Sequence, residues 1–251
     1  MKKHTQKLYY LIFIVVLVII WHFLSLGRES LIFPSPYEVL LSFVSIMQSK
    51  AFLPSVMNTV KAVFVSFAIA IIPALVFGIL SKLLPPVYVV MDKISGIIRS
   101  IPSVALILIA LLLLPLSITP IVICFFVVFP VLYTNIAEGL AGVDKKLLEM
   151  ASVYDVSRKK IIMGIYLPSL YTYLIAGARS ALGLNFKIMV TAEVFNFVNH
   201  NTIGAQMYMQ KIQIDIAGII AWAVIVVVIS LLFDFLLKKL FERRDFYAGN
   251  D

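Results

Sequence analysis

Asp144 to Pro168 reads DKKLLEMASVYDVSRKKIIMGIYLP, and the rest of the chain is organised around it. It is a long, densely charged segment inside a very apolar protein, carrying Lys145, Lys146, Glu149, Asp155, Arg158, Lys159 and Lys160. Its apolar residues Leu147, Leu148, Ala151, Val153 and Tyr154 recur at spacings of three and four, which predicts a short amphipathic helix. Asp155-Val156-Ser157 interrupts that pattern. Ser157 is placed to cap a second helix running through Ile161, Ile162 and Ile165. Pro168 closes the segment and starts the next apolar stretch.

The residues on either side are greasy enough to need a membrane. The chain has 251 residues, is 62% hydrophobic and only 14% charged, and has a mean hydropathy of +1.03. A soluble domain carries about a quarter charged residues and does not leave so much apolar surface uncovered. An all-α polytopic membrane protein is therefore expected. A helix needs about 20 apolar residues to cross a hydrocarbon core of about 30 Å. Six stretches serve, at about 8–26, 56–80, 101–114, 121–137, 170–191 and 216–237, with the third able to start earlier as a broken helix. The first has a basic start, as a signal peptide does, but it is long for one. Arg28 and Glu29 follow in place of a small-residue cleavage site, so a retained span is expected. Pro34-Ser35-Pro36 then breaks the chain, and Pro36 can open a short interfacial helix over Tyr37 to Ser49.

Six spans put both ends on one side, and positive charge decides which. On the side of the N-terminus fall Lys2, Lys3, Lys7, Lys82, Lys93, Arg99, Lys145, Lys146, Arg158, Lys159, Lys160, Lys238, Lys239, Arg243 and Arg244. The other side has Arg28, Lys50 and Lys211, while Lys61, Arg179 and Lys187 fall within or near spans. Fifteen against three places both termini and the 144–168 loop in the cytoplasm. The net charge of +8 is then topological, and no nucleic acid is needed to explain it. A helix–turn–helix between spans four and five is a docking element, something rigid for a soluble partner to push.

No catalytic constellation accompanies this layout. H-E-x-x-H, G-x-x-x-x-G-K-[ST], G-x-S-x-G and CxxC are all missing, and His4, His22 and His200 are isolated. No metal and no cofactor are expected. The lone Cys124 sits in an apolar run and has no partner for an internal disulfide. Without a nucleotide-binding loop, energy must come from a partner or from an ion gradient.

The 144–168 segment also carries a resemblance. Glu149-Met150-Ala151, three residues, Asp155, nine residues, then Ile165-Tyr166-Leu167-Pro168 is similar to E-A-A-x3-G-x9-I-x-L-P. That is the cytoplasmic loop of permease subunits in binding-protein-dependent ABC importers. Met150 stands for the first Ala and Asp155 for the Gly, a position that usually needs a left-handed turn, which Asp tolerates. The resemblance runs from about Pro34 to Arg244 and is nearest to the nitrate/sulfonate/taurine class. Pro34-Ser35-Pro36, Arg99-Ser100-Ile101-Pro102-Ser103-Val104-Ala105, Phe129-Pro130 and Arg179-Ser180-Ala181-Leu182-Gly183 carry it, together with Val190-Thr191-Ala192-Glu193 and Ile203-Gly204. After Ala105 the chain departs from the class's Pro-Leu and aromatic, Gly-containing segment and has Leu106-Ile107-Leu108 and Leu114-Pro115-Leu116 instead.

The resemblance implies one permease domain over residues 1–251 in a prokaryotic plasma membrane, itself non-catalytic. It implies a second copy of the permease, a separate ABC ATPase, and an extracellular or periplasmic binding protein delivering substrate. Glu149, Ala151, Asp155, Ile165, Leu167 and Pro168 would form the ATPase-coupling loop, and the spans would rock in alternating access. Nitrate, sulfonates or a taurine-like anion are the implied solutes. Vitamin precursors such as a pyrimidine or riboflavin are an alternative, and an ion-coupled secondary transporter is a rival of another class. Arg179, Asn185, Lys187 and Glu193 have two readings, a polar lining for an anion or structural pairing with Lys187 reaching to the interface. Lys61 is read in the same two ways.

Overall fold

The computed structural model describes residues 3–27, 33–196 and 200–248, so Lys2, Arg28 and Glu29 lie outside the described residues. Among the described residues every regular element is helical. In order they are α1 (Lys3–Ser25), α2 (Pro36–Gln48), α3 (Phe52–Leu83), α4 (Pro85–Ser100), α5 (Ser103–Leu113) and α6 (Thr119–Ala141). Then come α7 (Lys145–Val153), α8 (Arg158–Ile161), a π-turn (Ile162–Tyr166), α9 (Leu167–Phe195), α10 (Ile203–Ile212) and α11 (Ile216–Ala248).

Among the described residues four stretches are long and apolar enough to cross a membrane, Phe52–Leu83, Thr119–Ala141, Arg158–Phe195 and Ile216–Leu236, whereas the expected first span, 8–26, has only the shorter apolar stretch Ile12–Ser25. The expected third span, 101–114, is different. Its helix, α5, has 11 residues, about half of what a crossing needs. It joins α4 at a bend of 94°, and the two together make a fifth, broken candidate. The cause is Pro102. A residue before proline is pushed out of the helical region, and Ile101 has φ −77° and ψ 126°.

Small residues hold the bundle together. In α3, Ser55, Thr59, Val63, Ser66, Ala70, Ala74, Gly78 and Ser81 are all buried, at spacings of three and four. Larger residues such as Leu53, Phe64, Ile72 and Val76 stay exposed on the other side. Lipid tails are as apolar as leucine, so helices in a bilayer associate by close backbone approach rather than by hiding grease. α6 is the central element, packed on α3 and on α9. It buries Ile123, Val128, Leu132, Tyr133 and Ile136. A Cβ on Gly177 of α9 would stand 2.7 Å from Asn135 Cβ of α6, so the two helices are as close as glycine allows.

α2 leads the chain onto α11. Its start is set by a capping box, in which Ser35 Oγ accepts from Glu38 N–H and Glu38 Oε2 accepts from Ser35 N–H at 2.7 Å. The S-P-Y-E signature is present in the sequence and marks this start. Val39 and Ile46 of α2 share a core with Trp222 of α11. The turn from α10 into α11 is strained. Asp215 N–H bonds Gln210 C=O at 2.9 Å and Ile214 N–H bonds Lys211 C=O at 3.1 Å, a Schellman closure that holds Ile214 at φ 58°. A β-branched residue there is unfavourable, by roughly 1–2 kcal/mol. Since Ile214 is largely exposed, Ile214→Gly gives up little packing. It is expected to raise stability by about 1 kcal/mol, after the extra flexibility of glycine in the unfolded chain is allowed for. A higher thermal midpoint of the purified chain is the readout.

Candidate functional site

Two regions at opposite ends of the bundle concentrate polar and exposed residues. The first is the 144–168 loop. Asp144 caps α7 by accepting from Lys146 N–H at 2.9 Å. α7 ends in a second Schellman closure, with Val156 N–H on Ala151 C=O at 2.9 Å and Asp155 N–H on Ser152 C=O at 3.3 Å. Asp155 sits at φ 48°, the left-handed conformation expected of that position. Ala151 is already buried within the chain, so its small size serves the closure of the loop itself. Leu147, Met150, Val153 and Tyr154 are uncovered, the last two 80% and 75% exposed. The apolar face of α7 therefore packs on little of its own chain. Glu149 is exposed beside it.

The second helix of the loop is not a separate piece. Ser157 occupies the capping position of α8 without a side-chain hydrogen bond. From Arg158 the chain runs through the π-turn directly into α9. Pro168 explains the wide turn. It has no N–H, and its ring would crowd the carbonyl of Gly164, four residues back. The helix widens just before it, and Leu167 N–H bonds Ile162 C=O, five residues back. So Pro168 does not close the segment. Ile165 is half-buried, while Leu167 and Pro168 are exposed. Lys82, at the end of α3, sets its ammonium 5.7 Å from the ring centre of Tyr166, tying the loop to that helix.

At the opposite end, α10 drives its N-terminus against α3 and α9. The first N–H groups of a helix have no partner inside it. Here Ile203 N–H bonds Thr59 Oγ1 at 3.0 Å, Gly204 N–H bonds Glu193 Oε2 at 3.1 Å, and Ala205 N–H bonds Thr202 Oγ1 at 3.3 Å. Thr59 O–H lies 3.0 and 2.9 Å from the two Glu193 oxygens. A buried carboxyl group is placed where helix-end N–H groups and their partial positive charge can compensate it. One layer inward, Asn185 Nδ2 donates to Val63 C=O at 2.9 Å and to Ser66 Oγ at 3.0 Å.

The four polar residues of the fifth span therefore separate. Asn185 and Glu193 are buried against α3. Arg179 forms a forked pair with Asp234 of α11, with nitrogen–oxygen distances of 2.8 to 3.1 Å. Lys187 is exposed. Thr59, Ser66 and Asp234 are the partners that sequence reasoning missed as such. The periodic small residues of α3 were the available signal for the first two.

A cavity of about 410 Å³ opens beside Glu193. Asn58, Lys61, Ala62 and Val65 of α3 and Met189 of α9 wall it, with Asn196 and Thr202. Leu116 and Ser117, from the turn after short α5, and Pro120 and Ile121, from the first turn of α6, complete it. Among the described residues no three His, Cys, Asp or Glu side chains are grouped to hold a metal.

Comparisons with known proteins agree with this architecture. Residues 74–245 match the family described as binding-protein-dependent transport system inner membrane component. An aliphatic sulfonates transport permease, SsuC of Bacillus subtilis (strain 168), is 25% identical over 93% of this chain and 87% of its own length. The nitrate import permease NrtB of Synechocystis sp. (strain ATCC 27184 / PCC 6803 / Kazusa) is 25% identical over 72% of this chain and 69% of its own. A crystal structure of an amino acid ABC transporter with histidines superposes with a TM-score of 0.64 at 19% identity, over 83% of this chain and 96% of that one, a likeness of fold. A multi-pass helical bundle, a charged loop ahead of α9 and the match over 74–245 together place the chain in the family of binding-protein-dependent inner membrane permeases of ABC transporters.

Proposed function

We propose that this chain is the membrane subunit of an importer for a nitrate, sulfonate or taurine-like anion, working by alternating access as a homodimer. A separate ABC ATPase hydrolyses the ATP, and an extracellular or periplasmic binding protein delivers the solute. One permease domain covers residues 1–251. The six spans are α1, α3, the bent pair α4–α5, α6, α9 and α11, and both termini and the 144–168 loop face the cytoplasm. The distribution of Lys and Arg supports that orientation.

Glu149, Ala151, Asp155, Ile165, Leu167 and Pro168 form the ATPase-coupling segment. The observation that carries this is the uncovered apolar face of α7, where Leu147, Met150, Val153 and Tyr154 stand exposed among lysines. Such a patch on a water-facing loop marks a protein contact. Continuity of α8 with α9 supports force transmission, since a push on the loop moves a spanning helix as one body.

Glu149→Lys and Val153→Glu are the tests. Both variants are expected to insert normally. Both are expected to lose ATPase co-purification and solute-stimulated ATP hydrolysis at least about tenfold, from about 1.4 kcal/mol or more of lost contact energy. Normal coupling in both would remove α7 from the contact.

A further inference from the structure

We propose that the groove beside Arg179 and Asp234 holds one membrane phospholipid whose headgroup carries both a phosphate and a primary ammonium, as phosphatidylethanolamine does. The inference goes beyond the transport reading and needs only that the chain crosses a bilayer.

The ion pair lies at a definite depth. Arg179 precedes the end of α9 at Phe195, and Asp234 follows the start of α11 at Ile216. At about 1.5 Å per residue, the two stand about 24 and 27 Å from the helix ends beside α10. The hydrocarbon core is about 30 Å thick. Both helices therefore put the pair just inside the opposite boundary, on the side of the 144–168 loop, where headgroups begin.

Much of the pair is uncovered, with side chains 34% and 53% exposed. Charges at this depth are costly against lipid tails and call for a polar neighbour. Hydrogen-bonding capacity is also left over. Arg179 spends Nε and Nη2 on Asp234, so the two N–H groups of Nη1 remain to donate. Asp234 Oδ2 accepts one bond and has a lone pair to spare.

A narrow apolar groove leads away from the pair. Val63 and Phe64 of α3, Leu182, Gly183 and Phe186 of α9, and Phe233 of α11 line it. Gly183 and Phe186 come one and two turns after Arg179 along α9, toward the bilayer centre. A Cβ on Gly183 would meet nothing within 4 Å, so the groove is open there. Charged at the leaflet boundary and apolar toward the centre is the polarity of a lipid. Nη1 offers donors to a phosphate, and Oδ2 accepts from an ammonium. A headgroup with no cation meets the charge of Asp234 uncompensated, and a choline headgroup has no N–H to give it.

Native mass spectrometry of the purified full chain tests this, with phosphatidylethanolamine, phosphatidylglycerol and phosphatidylcholine of identical acyl chains added in turn. One phosphatidylethanolamine per chain is expected to bind at least about tenfold more tightly than either of the others. Gly183→Leu fills the groove without touching the ion pair, and Asp234→Asn keeps an oxygen for Arg179 but loses the charge. Each is expected to lower phosphatidylethanolamine binding at least about tenfold, to the level of phosphatidylcholine. Thermal melting in detergent alone verifies that both variants are folded. The proposal is overturned if the three lipids bind equally, or if either folded variant binds phosphatidylethanolamine as the unaltered chain does. It is also overturned if Gly183→Leu splits a dimer and leaves lipid binding unchanged, since a second copy would then be what covers the groove.

Discussion

Gly204→Ala is expected to be among the most damaging single-methyl additions in this chain. A Cβ at that position would overlap Glu193 Cβ and lie 2.5 Å from Val190 O and 2.6 Å from Val194 N. Two of these three neighbours are backbone atoms of α9, which cannot move without bending that helix. α10 must therefore back away, and Ile203 and Gly204 lose their bonds to Thr59 and Glu193. Alanine is the better helix former by about 1 kcal/mol. The overlap and the lost bonds outweigh this, for a net loss of about 3 kcal/mol. The control is Gly96→Ala in α4, where nothing lies within 4 Å of the new methyl, and where stability is expected to stay the same or rise slightly. Thermal melting of the purified chains compares them. Equal behaviour of the two would mean that α10 does not dock as described.

Glu193→Ala carries the other large expected effect. It leaves Gly204 N–H and Thr59 O–H in a buried site without their acceptor. A hydroxyl can turn to another partner, but a backbone N–H cannot. Stranding it and opening space beside it is expected to cost about 3 kcal/mol. Glu193→Gln keeps one acceptor oxygen and is expected to lose about 1 kcal/mol. Because Thr59 and Glu193 act through one network, Thr59→Val and Glu193→Ala are expected to be less than additive, by about 1 kcal/mol in a double-mutant cycle. Full additivity would dissolve the network as an energetic unit.

The candidate sites were legible to different depths. The left-handed residue in the 144–168 loop was expected from the resemblance, in which Asp155 stands at a Gly position, and Asp is one of the few other residue types that such a turn admits. The continuation of α8 into α9 was not expected, because proline normally reads as a helix boundary. A π-turn that absorbs Pro168 leaves no mark in the residue pattern. Arg179, Asn185, Lys187 and Glu193 were singled out as costly in a membrane, which composition alone establishes. Their partners Asp234, Ser66 and Thr59 lie 55, 119 and 134 residues away along the chain, beyond the reach of local spacing.

Hydropathy by itself determined that the chain is helical and crosses a membrane repeatedly, because each span must satisfy its own backbone and expose no polar face to lipid. Tertiary packing alone decided which small residues of α3 face inward and where short α5 leaves a recess. In a bilayer the inward and outward faces of a helix are nearly equal in greasiness. Burial is then chosen by the fit of neighbouring backbones, which no single segment contains.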